Sequence, residues 1–149
     1  MNMTIQLNGQ LTTDRFGNPD SALQLSKGYA SVPPGVYFDP ATGGFTFMSW
    51  IKIISLNSYQ RIFDFGLGPD ADNILIPCDG QSLNLYFETY LSGAYMGRFY
   101  FPQIELNKWY HLAVSVSGST AKLFLDGVKQ GEKSGNEIKF GFNFICFNI

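Results

Sequence analysis

Asn84, Tyr86, Glu88 and Tyr90 occupy every second position of one segment, which puts an amide, two phenol rings and a carboxylate on the same side of an extended chain. Flat rings beside hydrogen-bonding groups suit a pyranose: the rings stack on its C–H face while amide and carboxylate bind its hydroxyls. Tyr95, Arg98 and Tyr100 extend the same chemistry from the next segment. Tyrosines in this pattern also serve to cover a second core face, because aromatic residues are common on ordinary strands.

A second group offers hard oxygens. Asp70, Asp72 and Asn73, with Asp79 on a nearby loop, have the donor type that calcium takes at about six to eight ligands. The spacing falls short of an EF-hand loop, which also needs a glutamate about twelve positions along. Asp and Asn equally serve as turn formers in a solvated loop.

Catalytic groupings are scarce. Glu88, Glu105, Glu132 and Glu137 stand apart from one another, whereas cleavage of a glycosidic bond needs two carboxylates flanking it. His111 is the sole histidine and sits inside Trp109-Tyr110-His111, so a Ser/His/Asp or Cys/His relay would have to centre on it. A structural histidine and a chain that is not an enzyme are the expectations. Cys78 and Cys146 lie far apart in sequence and form at most one bridge; two free thiols are the simpler reading.

The elements that position these residues are strands. Thr4 to Leu7, Ala22 to Leu25 and Tyr29 to Val32 are short. Phe45 to Ile54 is long, with Phe45, Phe47, Ser49, Ile51 and Ile53 on one face and Thr46, Met48, Trp50 and Lys52 on the other. Bulky groups on both faces predict a central strand. Arg61 to Phe65, Asn73 to Ile76, Ser82 to Tyr90 and Tyr95 to Phe101 follow, divided by Gly, Pro and Asp turns. Asp64, in Phe63-Asp64-Phe65-Gly66, is expected to hydrogen-bond a turn. Trp109 to Val116 directs Tyr110, Leu112, Val114 and Val116 to one side, and Gly118-Ser119 turns it into Ala121 to Leu125. Asp126-Gly127 then predicts a tight hairpin, because a type I′ turn needs positive φ at both centres. Ile138 to Ile149 reads as a last strand that needs cover on both sides. No stretch of helical period intervenes, so the fold class is all-β, a sandwich or barrel.

The chain has 149 residues, enough for one domain that buries roughly 70% of its unfolded surface. Its formal charge is −2 and Lys and Arg do not cluster, which argues against nucleic acid or an anionic membrane as partner. It contains no run of about 18 apolar residues for membrane insertion, and Met1 to Gln6 lacks the basic and apolar regions of a signal peptide. Asn2-Met3-Thr4 fits a glycosylation sequon.

Five blocks carry a family resemblance: Ala22-Leu23-Gln24-Leu25 with Gly28-Tyr29; Phe45-Thr46 leading to Trp50-Ile51-Lys52; Ile62-Phe63-Asp64-Phe65-Gly66; Trp109-Tyr110-His111-Leu112-Ala113-Val114; and Leu123-Phe124-Leu125-Asp126-Gly127. In order and spacing they resemble the laminin G-like, concanavalin A-like jelly rolls, from about Leu7 to about Asn148. The resemblance implies a two-sheet antiparallel sandwich with loops at its rims, in a family whose members are mostly modules of extracellular or surface proteins. Many bind glycans or proteins, some with calcium. Sugar-cleaving relatives carry a Glu-x-Asp-x-x-Glu arrangement, which is absent here. The family usually continues with another strand beyond the position of Asn143, so residues 1–149 are expected to form a single domain lacking its closing strand. Either the chain is a truncated gene product, or the exposed edge is completed by a second chain or a protein partner. The expected function is recognition of a carbohydrate or glycosylated surface protein; the alternative is a structural or protein-interaction domain of a larger extracellular polypeptide, and a glycoside hydrolase lacks its carboxylate pair.

Overall fold

The computed structural model describes residues 4–31, 44–57, 60–66, 73–79 and 82–134. They form twelve strands: β1 (Thr4–Gln6), β2 (Gly9–Thr12), β3 (Ala22–Leu25), β4 (Tyr29–Ser31), β5 (Gly44–Lys52), β6 (Arg61–Phe65), β7 (Ile74–Pro77), β8 (Tyr86–Leu91), β9 (Ala94–Tyr100), β10 (Trp109–Ser117), β11 (Thr120–Leu125) and β12 (Val128–Ser134). The described residues contain no helix, as the period-2 patterning predicts. Ile138 to Ile149, with its expected edge, lies outside them.

Two four-stranded antiparallel sheets, ordered β12-β11-β10-β5 and β6-β7-β8-β9, pack face to face. Two ribbons, β1-β4 and β2-β3, accompany them. One core lies between the large sheets. Ile51, Ile53, Tyr110, Leu112, Val114, Val116, Leu123 and Leu125 enter it from one side, and Phe63, Ile76, Leu85 and Phe87 from the other. The Phe47 and Phe63 rings bridge the layers with centroids 4.3 Å apart. Each such aliphatic or aromatic burial contributes about 1.5–3 kcal/mol, so the alternating apolar residues of β5, β8 and β10 decide which faces turn inward.

Local turn chemistry fixes the hairpins. Asp126 (φ 50°) and Gly127 (φ 80°) both adopt the left-handed conformation that a type I′ turn requires. The Asp126 carboxylate accepts a 2.7 Å bond from the His111 backbone N–H, and the Asp126 N–H donates to the His111 carbonyl at 2.7 Å. Ser92 (φ 51°) and Gly93 (φ 79°) repeat the device between β8 and β9.

Several expectations need correction. Leu7 and Asn8 both have positive φ and turn the chain back into β2, a strand the sequence reading passed over. Among the described strands β5 pairs with β10, and Met48 and Trp50 on its outward face are exposed. β8 begins at Tyr86, not Ser82, with only an isolated Cys78–Leu85 bridge before it.

Candidate functional site

Three cross-strand relationships build the outward face of the β6–β9 sheet. In β8 and β9, Tyr86 faces Tyr100 and Glu88 faces Arg98. A register shift after Thr89 leaves Met96 without an opposite residue and brings Tyr95 across from Tyr90. Without that bulge, Tyr95 would fall on the core side with Phe99. Four tyrosines therefore share one face in two pairs, with ring centroids 5.7 Å apart for Tyr86–Tyr100 and 5.8 Å for Tyr90–Tyr95.

Arg98 ties the first pair together. Its Nε donates to Glu88 Oε2 at 3.0 Å, Nη2 lies 2.9 Å from the same oxygen, and Nη1 donates to the Tyr100 hydroxyl at 3.3 Å. The guanidinium sits 4.0 Å above the Tyr86 ring, a cation–π arrangement that strengthens with desolvation. Burial works against the Arg98 charge, but its bonds to Tyr100 and Glu88 outweigh that and raise its pKa, so it stays a cation at every accessible pH. Burial, reinforced by Glu88 and opposed by Arg98, pushes the Tyr86 hydroxyl up as well.

Exposure separates the roles. Tyr95 (55%) and Tyr100 (61%) stand open to solvent, while Glu88 is only 3% exposed. Glu88 thus lies beneath the face as the anchor of Arg98 rather than on it. Asn84 sits apart in the loop before β8: its amide donates to the Ser82 hydroxyl at 2.7 Å, which donates to Asp79 at 3.0 Å. That relay fixes the turn leading into β8.

The calcium candidates divide in a similar way. Asp70 and Asp72 lie outside the described residues. Asn73 is buried and donates its amide to Asp64 at 2.8 Å; Gly66 permits this, because a Cβ there would meet the Asn73 amide at 2.4 Å. Asp64 also pairs with Arg61. Among the described residues no three acidic, histidine or cysteine side chains converge as a metal site. Cys78 is a buried free thiol, and Cys146 lies outside the described residues.

Residues 25–146 match the Laminin G 3 family of the concanavalin A-like lectin/glucanases superfamily. The chain belongs to that superfamily. Among solved structures, this lectin-like fold is similar to the binding domain of Paraclostridial Mosquitocidal Protein 1 (TM-score 0.68, 16% identity, 99% of this chain and 38% of that one). It is also similar to domain 4 of AbnA, a GH43 extracellular arabinanase from Geobacillus stearothermophilus solved with arabinotriose (TM-score 0.61, 20% identity, 95% of this chain and 72% of that one). A third is the carbohydrate-binding module CBM66 from Bacillus subtilis (TM-score 0.55, 20% identity, 99% of this chain and 89% of that one). The chain thus spans well under half of the length of the mosquitocidal protein's binding domain. Among curated proteins, none matches the sequence. At these identities the likeness is one of fold.

Two arrangements carry no mark in the superfamily's sequence pattern: the Arg61–Asp64 pair, and a contact on the opposite sheet between Arg15, Phe16 and Trp50. Arg61 and Asp64 show no short-range signal beyond their three-residue spacing. Arg15, Phe16 and Trp50 meet only because the loop after β2 folds across the outward face of β5.

Proposed function

We propose that this chain is a non-enzymatic recognition module that binds carbohydrate on the outward face of the β6–β9 sheet. The observation that carries this reading is the pair of exposed rings, Tyr95 and Tyr100, on a face where Glu88 and the Tyr100 hydroxyl hold Arg98 in place. Rings so placed stack on the C–H face of a sugar. A guanidinium has five N–H donors; the three contacts to Glu88 and Tyr100 leave one hydrogen on Nη1 and one on Nη2 for hydroxyls. Sugar-binding modules of the same fold, including the one solved with arabinotriose, support the reading. We place the module outside the cell, where glycans and glycosylated surface proteins are the available ligands.

A glycan array probed with the wild type, Tyr95→Ala and Tyr100→Ala tests the proposal. Each exposed tyrosine is expected to account for about tenfold in affinity, about 1.4 kcal/mol, with the folded structure retained. Absence of binding to any glycan would sink the sugar reading, and a stoichiometric protein partner indifferent to sugar would favour a protein-interaction module. The same array run with a chelator tests calcium at Asp70, Asp72, Asn73 and Asp79: binding that survives chelation removes the metal from the account.

A further inference from the structure

On the opposite side of the sandwich, Arg15 is held between two aromatic rings. Its guanidinium carbon lies 3.6 Å from the Phe16 ring centroid and 4.1 Å from that of Trp50. The loop that carries it is braced from within: Asp14 accepts bonds from the backbone N–H groups of Phe16 and Asn18 at 2.8 and 2.9 Å, and from the Asn18 amide at 3.0 Å. Trp50 is in turn steadied by the His111 ring, 5.2 Å away on the neighbouring strand. A long, flexible side chain is thus fixed in position, yet Arg15, Phe16 and Trp50 are all exposed.

The difference from Arg98 lies in charge. Arg98 is compensated by a buried carboxylate, whereas Arg15 forms no ion pair among the described residues. Asp14, its neighbour in the chain, is engaged with its own loop. A planar guanidinium stacked on aromatic rings keeps the N–H donors of its edge for another partner, in a planar fork. That fork matches a carboxylate through two parallel bonds. Phe16, 71% exposed, supplies apolar surface beside it for a ring's C–H groups.

We propose that Arg15, Phe16 and Trp50 form a second ligand site that takes a carboxylate-bearing sugar of the uronic acid class. The acid group pairs with Arg15, and the sugar ring rests against Phe16. The site lies on the other sheet from the four tyrosines and shares no residue with them, so either can fail without the other.

The test uses the whole chain and two probes, an oligogalacturonate and its fully methyl-esterified form, followed through tryptophan fluorescence. The acid is expected to bind with a change in emission and the ester at least tenfold more weakly. Arg15→Gln is expected to lose at least tenfold for the acid, while Tyr100→Ala binds it as the wild type does. Equal binding of acid and ester, unchanged binding by Arg15→Gln, or no binding of the acid at all overturns the proposal. Loss of acid binding in Tyr100→Ala would transfer the ligand to the tyrosine face and overturn it too. An acidic peptide that outcompetes the oligogalacturonate at Arg15 would refute the sugar assignment.

Discussion

The guanidinium of Arg98 stands 4.0 Å over the ring of Tyr86 while two of its nitrogens reach a single oxygen of Glu88. Glu88 is buried and Arg98 about one-third exposed at its side chain. Arg98→Ala therefore strands a buried carboxylate. After discounting for Arg98's solvent exposure, the expected loss is about 2 kcal/mol. Removing both charges in Arg98→Met with Glu88→Leu should cost less than the single change, because no uncompensated ion remains. Urea denaturation midpoints for Arg98→Met, Glu88→Leu and the double variant measure this; additive losses would show that the pair is not coupled.

At the β11–β12 turn, Gly127 adopts φ 80° with open space around it. Gly127→Ala meets no steric neighbour, so its cost is conformational, about 1 kcal/mol. Asp126→Ala loses the bond to the His111 N–H as well as a residue tolerant of positive φ, and should cost about 1–2 kcal/mol. Thermal unfolding of both variants checks the two values. Asp126→Asn, which keeps an acceptor and tolerates the conformation, should lose the least.

What was legible in the sequence follows from the range of the forces involved. Tyr110, Leu112, Val114 and Val116 announce their inward face because pleating alternates side chains strictly, and Asp126-Gly127 announces its turn because both φ values are local. Alternation gives side but not depth. It placed Asn84, Tyr86, Glu88 and Tyr90 together, yet Glu88 is buried under Arg98 and Asn84 belongs to a turn. The bulge that brings Tyr95 to Tyr90 depends on the pairing of two strands, and Arg15 reaches Trp50 only through the closed tertiary fold. Neither leaves a mark in one strand's pattern.

Acid should loosen the loop that holds Arg15. The bond from the Asn18 amide, with help from backbone N–H groups, holds the Asp14 carboxyl below its ordinary value. A carboxylate lowered in the folded state favours the ordered loop above its unfolded pKa, and that contribution is lost as the pH falls through the folded one. Tryptophan emission reporting on Trp50 should shift in this acid window for the wild type. In Asp14→Asn the shift should be smaller and the loop looser at neutral pH; identical profiles would remove Asp14 from the account.

Alkali should act through Cys78. Burial, with the Asp79 carboxylate second, raises its thiol above the ordinary 9.0. Because the folded chain resists ionising a group that the unfolded chain releases freely, the contribution is fully present below the unfolded pKa and is lost as the pH rises through the folded one. The thiol should also react slowly with alkylating reagents, since the thiolate is the nucleophile and Cys78 is only 2% exposed. Two single variants separate the thiols: Cys78→Ala should flatten the decline in urea midpoint between about pH 8 and about pH 10, whereas Cys146→Ala should leave Cys78's share of it intact. Rapid labelling of Cys78 in the folded Cys146→Ala chain would contradict both its burial and its raised pKa.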